Sequence, residues 1–566
     1  MLSIFYWFLI IELIGIIAFP LAFASMPCLS DRGYSVAKPL GLLFLSWLIW
    51  LLGSLHILPT NSYTLWGLLS LLSVGSGWYG YLHREKIIEF IRKEYRIILI
   101  GEGVFFLFYL AWIIYRFYDP SINTTEQPMD FAILNASIIA NFFPPEDPWL
   151  RGYDVPYYYF GYLMMGNLTE MALVPSRISY NLSLALIPAL SALAAFGIVY
   201  NLIRAHGSEA FLALRFALLA PVLLLVVSNL EGVLEFIRLR EWVSQPFWDW
   251  LGIKDLGLAE THSWRPTDYN WWWRSTRIID TLNSQGASLD YTITEFPFFS
   301  FLLGDMHPHV MSIPFILLFL SFSLNVFLSP TSTGRVWAGS NLWTIFLSAL
   351  LLGALAFINI WDIVPFALLW AALLIFKNVG HEGNLWIGAI RKSWLMIGIT
   401  LSVAILMYIP YYLSLDSQAS AILPVGEVGT RPVHLLIVWG LFLVILLPFL
   451  VRQMPTALSL GGYGQTILCL NCSLAISRTS KSCTDCGTAF GETLGIPRKD
   501  LLLGPISILS LIFLPFFIWA AWQLGWSTLT WSTAPLLVIF ERFLNTVPLM
   551  LLLFVTLYSL IMYVES

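Results

Sequence analysis

Long apolar runs alternate with short polar stretches along almost the whole chain. A run of about 20 apolar residues is the length that an α-helix needs to cross a bilayer. The pattern therefore predicts an all-α polytopic membrane protein with about 13–14 transmembrane helices. The fourteen hydrophobic segments are 2–24, 38–58, 62–82, 96–116, 157–174, 181–203, 210–228, 310–329, 341–358, 363–377, 394–413, 433–451, 501–524 and 543–563.

Composition supports this class. The chain is 58% hydrophobic and 11% charged, whereas a soluble globular protein has about 25% charged residues. A net charge of -5 argues against binding of nucleic acid, so membrane lipids are the expected surroundings. The first run, Leu2–Phe23, lacks a basic start and a small-residue cleavage site, which indicates a membrane span rather than a signal peptide.

Basic residues in the short loops predict the orientation in the plasma membrane. Loop 83–96 carries five Arg or Lys residues, which favours the cytoplasmic side. The N-terminus and the acidic loop 117–156 then lie outside. Basic loops 377–393 and 452–500 lie inside, as does the C-terminus.

Fourteen crossings do not fit this orientation, because an outside N-terminus and an inside C-terminus require an odd number. Segment 157–174 is predicted not to cross, since it opens with Tyr157–Tyr159 and contains Asn167 and Glu170. The alternative is a further short span within 229–309. The predicted parts are N-terminal transmembrane helices 1–95, a membrane core 96–464 with outer segments 117–156 and 229–309, a cytoplasmic hairpin 465–492 and C-terminal transmembrane helices 493–566.

The stretch Thr294–Pro314 places four ionisable residues in an apolar run, namely Glu295, Asp305, His307 and His309. A charge at the bilayer centre costs from about 2.5 to over 10 kcal/mol, so such residues usually mark a polar cavity, a charge pair or a reaction. We predict a functional site here. The alternative is a polar cluster that only caps a helix and connects neighbouring spans.

The first outer segment predicts a surface helix that carries two carboxylates at its start. After Pro128, apolar residues at 131, 134, 138 and 139 follow a helical period. Glu126 and Asp130 could activate a hydroxyl group or hold a divalent cation, and the alternative is helix capping. Arg151 is the one basic residue of the segment that follows and is a candidate phosphate ligand.

Two further motifs are candidates for binding. The tryptophan run 271–273 precedes Arg274 and Arg277, which predicts an interfacial wedge with both arginines near headgroups or phosphates; the alternative is an aromatic anchor without a ligand. Asp362 follows a turn between two spans and is predicted to face the same side as His307. It either joins the same pocket or caps the next helix.

Cys469, Cys472, Cys483 and Cys486 form two CxxC pairs ten residues apart. This spacing on a polar hairpin predicts a tetrahedral zinc site. Four protein ligands complete the coordination of the metal and leave no open position for a substrate. The predicted role of the zinc site is therefore structural, or the site recruits a cytoplasmic protein partner. Cys28 is remote from the four and receives no role. The chain has no Walker loop, GxSxG or HExxH motif, which argues against an ATPase, a serine hydrolase and a zincin.

Three stretches resemble a known family: MDFAILNAS with FFPPEDPWLRGYDVPYYYFGY, ITEFPFFSFLLGDMHPH, and INIWD. They are similar to the uncharacterised prokaryotic YYY membrane-protein family, whose tyrosine triplet is Tyr157–Tyr159 here. That family is similar to the GT-C superfamily of integral-membrane glycosyltransferases. The resemblance implies a GT-C-like fold, a polyprenyl-phosphate-linked sugar donor and an acidic catalytic residue in the first outer loop, which falls on Asp130, with Glu126 second.

The chain departs from the family pattern in two ways. The four-cysteine hairpin, zinc-ribbon-like, is an insertion between spans. The family also usually continues into a further C-terminal membrane portion, whereas this sequence stops at Ser566, which is expected of a short form or a fragment.

The leading hypothesis is a glycosyltransferase acting at the extracytoplasmic face. Asp130 would be the general base toward an acceptor hydroxyl, and Arg151, His307, His309 and Arg274 would offset charge on the leaving phosphate. Tyr157, Tyr158 and Tyr159 would flank the path of the lipid. A divalent cation on Asp130, Asp305 and His307 is an option that the spacing does not require. The alternatives are a transporter or lipid flippase that uses the same polar cluster, and a scaffold that recruits a partner through the zinc hairpin.

Overall fold

The computed structural model describes most of the chain. The described residues are 2–258, 263–268, 271–282, 288–330, 339–382, 386–415, 430–459, 466–468, 475–477, 509–510, 512–525 and 535–565. They divide into two compact units. Unit 1 comprises Met1–Val227 and Phe296–Ser420, and unit 2 comprises Ser228–Glu295 and Ala421–Ser566.

Unit 1 is helical. Its α-helices are α1 (Leu2–Ser25), α2 (Ala37–Ser54), α3 (Ser62–Leu82), α4 (Arg84–Tyr118), α5 (Gln127–Ile139), α6 (Phe160–Ala172), α7 (Ser176–Ala205), α8 (Ala210–Ala217) and α9 (Leu219–Leu225), followed after the break in sequence by α12 (Pro297–Leu303), α13 (Pro308–Leu328), α14 (Gly339–Ile358), α15 (Ile363–Glu382), α16 (Trp386–Met407) and α17 (Ile409–Ser414).

Unit 2 contains α10 (Glu231–Leu239), α11 (Gln245–Leu251), α18 (Pro432–Ser459), α19 (Ile512–Gly525) and α20 (Pro535–Glu565). Strands β1 (Ile279–Leu282) and β2 (Ser288–Thr292) pair antiparallel, with Ile279 opposite Thr292, and so do β3 (Thr466–Leu468) and β4 (Ala475–Ser477), with Thr466 opposite Ser477. A small core of Trp248, Leu251, Ile278 and Ile437 joins α11 and the β1 segment to α18.

The described residues contain ten helices that are long and apolar enough to cross a membrane. The coarse prediction of a multi-pass helical membrane protein is therefore confirmed. All fourteen hydrophobic segments contain helix among the described residues, but α3, α6 and two shorter apolar stretches, Ala210–Leu225 and Ile512–Gly525, are not among the ten. Helix α6 has 13 residues, about 20 Å at 1.5 Å per residue, and this is shorter than a bilayer core of about 30 Å. That segment 157–174 does not cross stays a prediction.

Two details of the predicted elements were wrong. Residues 83–96 are not a loop, because α4 begins at Arg84 and continues for 35 residues with a kink at Glu94. The charged residues of this stretch are good helix formers. The stretch therefore lies outside the apolar layer but is still part of the helix. The face that α5 buries also differs from the predicted one: it holds Asp130, Ile133, Leu134 and Ser137, whereas Ile139 is exposed.

Buried polar contacts connect the helices of unit 1. Lys38, which is 4% exposed, forms ion pairs with Glu12 of α1 and Glu102 of α4. Asp31 accepts hydrogen bonds from Ser35 and from Asn201 of α7, at 2.6 and 2.8 Å. Since α7 is almost entirely buried, these contacts fix the helices around it.

The four predicted zinc ligands, Cys469, Cys472, Cys483 and Cys486, lie outside the described residues. The two strands of the β3–β4 hairpin flank the first CxxC pair in sequence.

Candidate functional site

The turn between α12 and α13 carries the first half of the candidate site. Gly304 ends α12 with a left-handed backbone, φ +75°, and Pro308 occupies the first turn of α13. A left-handed residue after a helix and a proline at the start of the next one are common boundary signals. They leave Asp305, Met306 and His307 as a short link between two helices.

Helix α5 brings the second half of the site to this link. Thr125 donates its hydroxyl to both carboxylate oxygens of Asp305, at 2.9 and 2.7 Å, across 180 residues of sequence. Gln127 donates to the carbonyl of Leu303 at 2.9 Å, and its side-chain oxygen accepts the amides of Asn123 and Thr124. The start of α5 is thus attached to the end of α12 by two side chains, Thr125 and Gln127, that are not among the predicted site residues.

His307 lies between two carboxylates. Its Nε2 is 2.8 Å from Glu126 and its Nδ1 is 3.6 Å from Asp305. The ring of His309 lies 5.2 Å from that of His307. Asp305 is buried, whereas the side chain of Glu126 is 54% exposed, so the group reaches the surface on the Glu126 side.

Asp130 is the most enclosed carboxylate of the group. It is 0% exposed, and its Oδ1 accepts a hydrogen bond of 2.6 Å from Tyr162 of α6. Its Oδ2 is buried and has no hydrogen bond within the described part of the chain. Burial raises the pKa of Asp130 from its ordinary 3.8 to about 8. The hydrogen bonds from Tyr162 and from the backbone of Met306 oppose this shift, and the charges of Asp305 and Glu126 add to it.

Neither carboxylate of α5 acts as the helix cap that the alternative interpretation required. Glu126 occupies the N-cap position, but its side chain makes no capping hydrogen bond. Asp130 is held by Tyr162 instead. The structure therefore places Glu126, Asp130, Asp305, His307 and His309 in one group, which we call the carboxylate–histidine cluster.

Asp362 lies at the edge of this cluster. Asn359 donates a 3.0 Å hydrogen bond to its Oδ1, and the Ser312 side chain and the His309 ring also interact with it. Asn359 and Asp362 belong to the same turn before α15, and Ser312 and His309 belong to the first turns of α13. The Asp362 carboxylate is therefore held by its own turn and by α13.

The predicted aromatic and basic ligands have several different environments. Tyr157 and Tyr158 stack at 4.1 Å, and Arg151 is exposed in the turn before them. Tyr159 belongs to the core instead: it is 2% exposed and accepts a hydrogen bond from Trp50 at 3.1 Å. It therefore supports packing rather than an open lipid path.

Arg274, Arg277 and Glu295 belong to unit 2. The guanidinium of Arg274 donates to both oxygens of Glu235, at 2.6 and 3.1 Å, and to Asp268 at 3.0 Å. Arg277 lies 4.6 Å from the Trp273 ring and interacts electrostatically with Glu295. These contacts occupy both arginines with side chains of their own unit.

Among the described residues, no group of three or more His, Cys, Asp or Glu side chains has an arrangement that could hold a metal ion. The contacts that position the cluster come from Thr125, Gln127 and Tyr162. Tyr162 follows the tyrosine triplet in the same aromatic run, and this was the only sequence signal that pointed to it.

The candidate spans and the polar cluster together define a multi-pass helical membrane protein with ionisable groups enclosed among its helices. The family model described as "Uncharacterized membrane protein (DUF2298)" matches residues 44–566, and the chain belongs to that family. No curated protein and no solved structure matches the chain.

Proposed function

We propose that the carboxylate–histidine cluster is the catalytic centre of a GT-C-type glycosyltransferase that uses a polyprenyl-phosphate-linked sugar at the extracytoplasmic face. One observation carries the proposal: Asp130 and Glu126 lie close to Asp305 and His307, although about 180 residues of sequence separate the two pairs. All four residues lie outside the candidate spans. A buried carboxylate with a pKa near 8 lies beside a carboxylate–histidine pair of which Glu126 is exposed, and this arrangement is suited to proton transfer near neutral pH.

Asp130 would act as the general base. Its Oδ2 takes the proton of an acceptor hydroxyl, and the acceptor oxygen forms a bond to the anomeric carbon of the sugar. The bond from that carbon to the phosphate oxygen breaks, and its electron pair stays on the phosphate. His307 and His309 would offset the growing negative charge when protonated. Glu126 and Asp305 hold His307 in place.

Substitution of Asp130 by Asn tests the base. The full chain, purified in detergent, is assayed for consumption of a polyprenyl-phosphate sugar. Loss of a general base lowers turnover by about 10²–10⁴-fold, and we expect D130N to fall in this range. The matched control is D154N, since Asp154 is exposed in the same outer segment. Unchanged turnover in D130N would remove Asp130 as the base.

A second candidate function is transport, either of a solute or of a lipid. The specific observation in its favour is the Glu12–Lys38–Glu102 group, which places two carboxylates and one ammonium within three candidate spans. Ionisable groups inside spans commonly mark ion or proton paths. Flux of a labelled substrate into proteoliposomes that is lost in E102Q and kept in D130N would favour transport over sugar transfer.

The four cysteines would bind a structural zinc ion beside the β3–β4 hairpin. Their CxxC spacing is the support for this part of the proposal. Metal analysis of the purified chain should give about one zinc per chain, and the C469S/C486S variant should give none. Equal zinc contents would refute the site.

A further inference from the structure

A cavity of about 510 Å³ lies among α1, α4 and α7 in unit 1, next to the link from α4 to α5. Its walls are mostly apolar. Residues from all three helices and from the link contribute: Ile4, Ile113, Phe117, Ile122, Ile178 and Leu182. We call it the α1–α4–α7 groove. Such walls suit a hydrocarbon chain.

Three polar residues also line the groove: Arg116, Arg177 and Asn181. Arg116 lies in the last turn of α4 and Arg177 in the first turn of α7. Both therefore occupy the ends of candidate spans, at the level where lipid headgroups lie. Asn181 accepts a 2.7 Å hydrogen bond from Nε of Arg116 and donates to the carbonyl of Arg177 at 3.2 Å.

Arg116 is a buried charge with incomplete neutralisation. It is 3% exposed, Nη2 donates to the carbonyl of Ser121 at 3.0 Å, and the buried Nη1 has no hydrogen bond to any described residue. Within the described ranges neither Arg116 nor Arg177 has an ion pair. The carboxylates of Asp119 and Asp305 interact with Arg116 electrostatically, but from farther away than an ion pair.

A guanidinium group keeps its charge at any pH that the protein meets. Arginines at span ends often extend their charge into water, but Arg116 is enclosed and cannot. A buried cation without a matching carboxylate is costly unless an anion joins it. Arginine is the side chain best suited to a phosphate, since its planar fork can donate two hydrogen bonds at once.

We propose that the α1–α4–α7 groove binds a membrane lipid that ends in a phosphate group, with the hydrocarbon against the apolar walls and the phosphate at Arg116 and Arg177. This inference rests on the proposed function only in identifying that lipid with the sugar carrier. The groove adjoins the cluster, because a Cβ placed on Gly304 would lie 2.6 Å from Nη1 of Arg116, and Asp305 is the next residue. Arg116 is then a positioning residue between the lipid phosphate and the cluster.

Binding of three probes to the full chain in detergent micelles tests the proposal. The probes are a short isoprenyl monophosphate, the isoprenyl alcohol of the same length, and inorganic phosphate. We expect the monophosphate to bind at least tenfold more tightly than the alcohol, because charge-assisted hydrogen bonds to phosphate are strong. Inorganic phosphate should not compete at the same concentration, because it lacks the hydrocarbon chain.

Variants connect the binding to the two arginines. R177Q should weaken monophosphate binding about tenfold and leave alcohol binding unchanged. R116Q should do the same, and its melting temperature is recorded because the residue is buried. The control is R92Q, an exposed arginine of the same helix, about 36 Å away along α4 at 1.5 Å per residue.

The outcomes separate this inference from the proposed function. Equal affinity for alcohol and monophosphate, competition by inorganic phosphate, or unchanged binding in R177Q would each overturn the groove as a lipid-phosphate site. D130N should bind the monophosphate as the wild type does. If D130N abolishes sugar transfer while R177Q binds the monophosphate normally, the proposed function stands and the groove assignment fails. If D130N keeps normal turnover while R177Q binds the monophosphate weakly, the groove assignment stands and the proposed function fails.

Discussion

Tyr162 donates a 2.6 Å hydrogen bond from its phenol to Oδ1 of Asp130, and both side chains are 0% exposed. Burial raises the pKa of Asp130 to about 8, whereas this hydrogen bond lowers it by favouring the charged carboxylate. Burial also raises the pKa of Tyr162 well above 10, so the phenol stays protonated as a donor. A side chain of α6 therefore contributes to the protonation state of a residue on α5.

Replacement of Tyr162 by Phe should raise the pKa of Asp130 further above 8. The variant loses one of the two donors that stabilise the charged form, while the backbone donor Met306, the burial and the nearby Asp305 remain. We expect the rising limb of the pH–rate profile for sugar transfer to move up by roughly one pH unit. Y153F is the control, because Tyr153 is 65% exposed. If the rising limb of the Y162F profile stays at the wild-type pH, the Tyr162 hydrogen bond does not influence the pKa of Asp130.

Replacement of Asp130 by Asn should stabilise the protein at neutral pH. The pKa of Asp130 is raised on folding from 3.8 to about 8, so its contribution to stability is complete below pH 3.8 and is lost as the pH rises toward 8. The asparagine side chain of D130N does not ionise and can still accept a hydrogen bond from Tyr162. We expect the melting temperature of D130N to exceed that of the wild type increasingly from pH 4 to pH 8, corresponding to up to about 4 kcal/mol at pH 7.

Thermal unfolding of D130N, D154N and the wild type across that pH range checks this. Asp154 is exposed, so D154N should follow the wild type. Parallel curves for D130N and the wild type would show that Asp130 does not ionise on unfolding. A more stable but inactive D130N is also the usual behaviour of a catalytic residue in an unfavourable environment.

Sequence periodicity was sufficient to predict the long apolar helices, but neither the short helices within 229–309 nor the contacts between helices. Apolar runs fix where helices form, and ionisable residues inside one such run pointed to Asp305 and His307. Asp130 was predicted differently, from its place at the start of the outer surface helix and from the family resemblance. Tyr162 and Arg116 were not predicted, because a tyrosine or an arginine near a span end is typical of any membrane interface. Their importance comes from which helices pack together, and a pattern along one helix carries no information on that.

Gly304 is expected to be intolerant of any side chain. Its φ is +75°, and an added Cβ would lie 2.6 Å from Nη1 and 3.3 Å from Cζ of Arg116. The left-handed backbone alone costs a non-glycine residue roughly 1–2 kcal/mol, and displacement of Arg116 adds to this. We expect G304A to lower both the melting temperature and monophosphate binding.

Gly152 provides a matched control for Gly304. Its φ is +88°, and an added Cβ would meet no atom within 4 Å. G152A therefore has the unfavourable left-handed backbone of a non-glycine residue, but its Cβ collides with no other atom. If G304A and G152A lose equal stability and bind the monophosphate equally, the approach of Arg116 to Gly304 has no energetic importance.

Gly197 allows α7 to approach the 3₁₀ turn Tyr34–Val36. An added Cβ would lie 1.8 Å from Oγ of Ser35, whose hydroxyl donates to Asp31 at 2.6 Å. Overpacking of a buried site typically costs about 1–3 kcal/mol, occasionally more, so G197A should reduce the melting temperature strongly. The second substitution S35G should restore part of the loss, because it removes the colliding atoms.

Gly75 of α3 is the control for Gly197. An added Cβ there would meet no atom within 4 Å, and alanine favours a helix over glycine by up to about 1 kcal/mol. G75A should therefore be neutral or slightly stabilising. Equal losses in G75A and G197A would show that the close contact with Ser35 does not limit stability.

Arg274 is expected to stabilise unit 2. Its partner Glu235 is 1% exposed, and Glu231, one helical turn earlier, is 0% exposed. Burial and the neighbouring Glu235 raise the pKa of Glu231 well above its ordinary value. Removal of one member of a buried ion pair costs about 3–5 kcal/mol, so R274Q should lower the melting temperature strongly. R240Q, at the exposed arginine that directly follows α10, should not.

The double variant R274Q/E235Q distinguishes this role from direct phosphate binding. Neutralisation of Glu235 removes the uncompensated charge, so the double variant should recover much of the stability lost in R274Q. If Arg274 served the lipid phosphate instead, R274Q would weaken monophosphate binding at nearly unchanged stability, and the second substitution would restore nothing. Thermal unfolding and probe binding, measured on the same preparations, decide between the two roles.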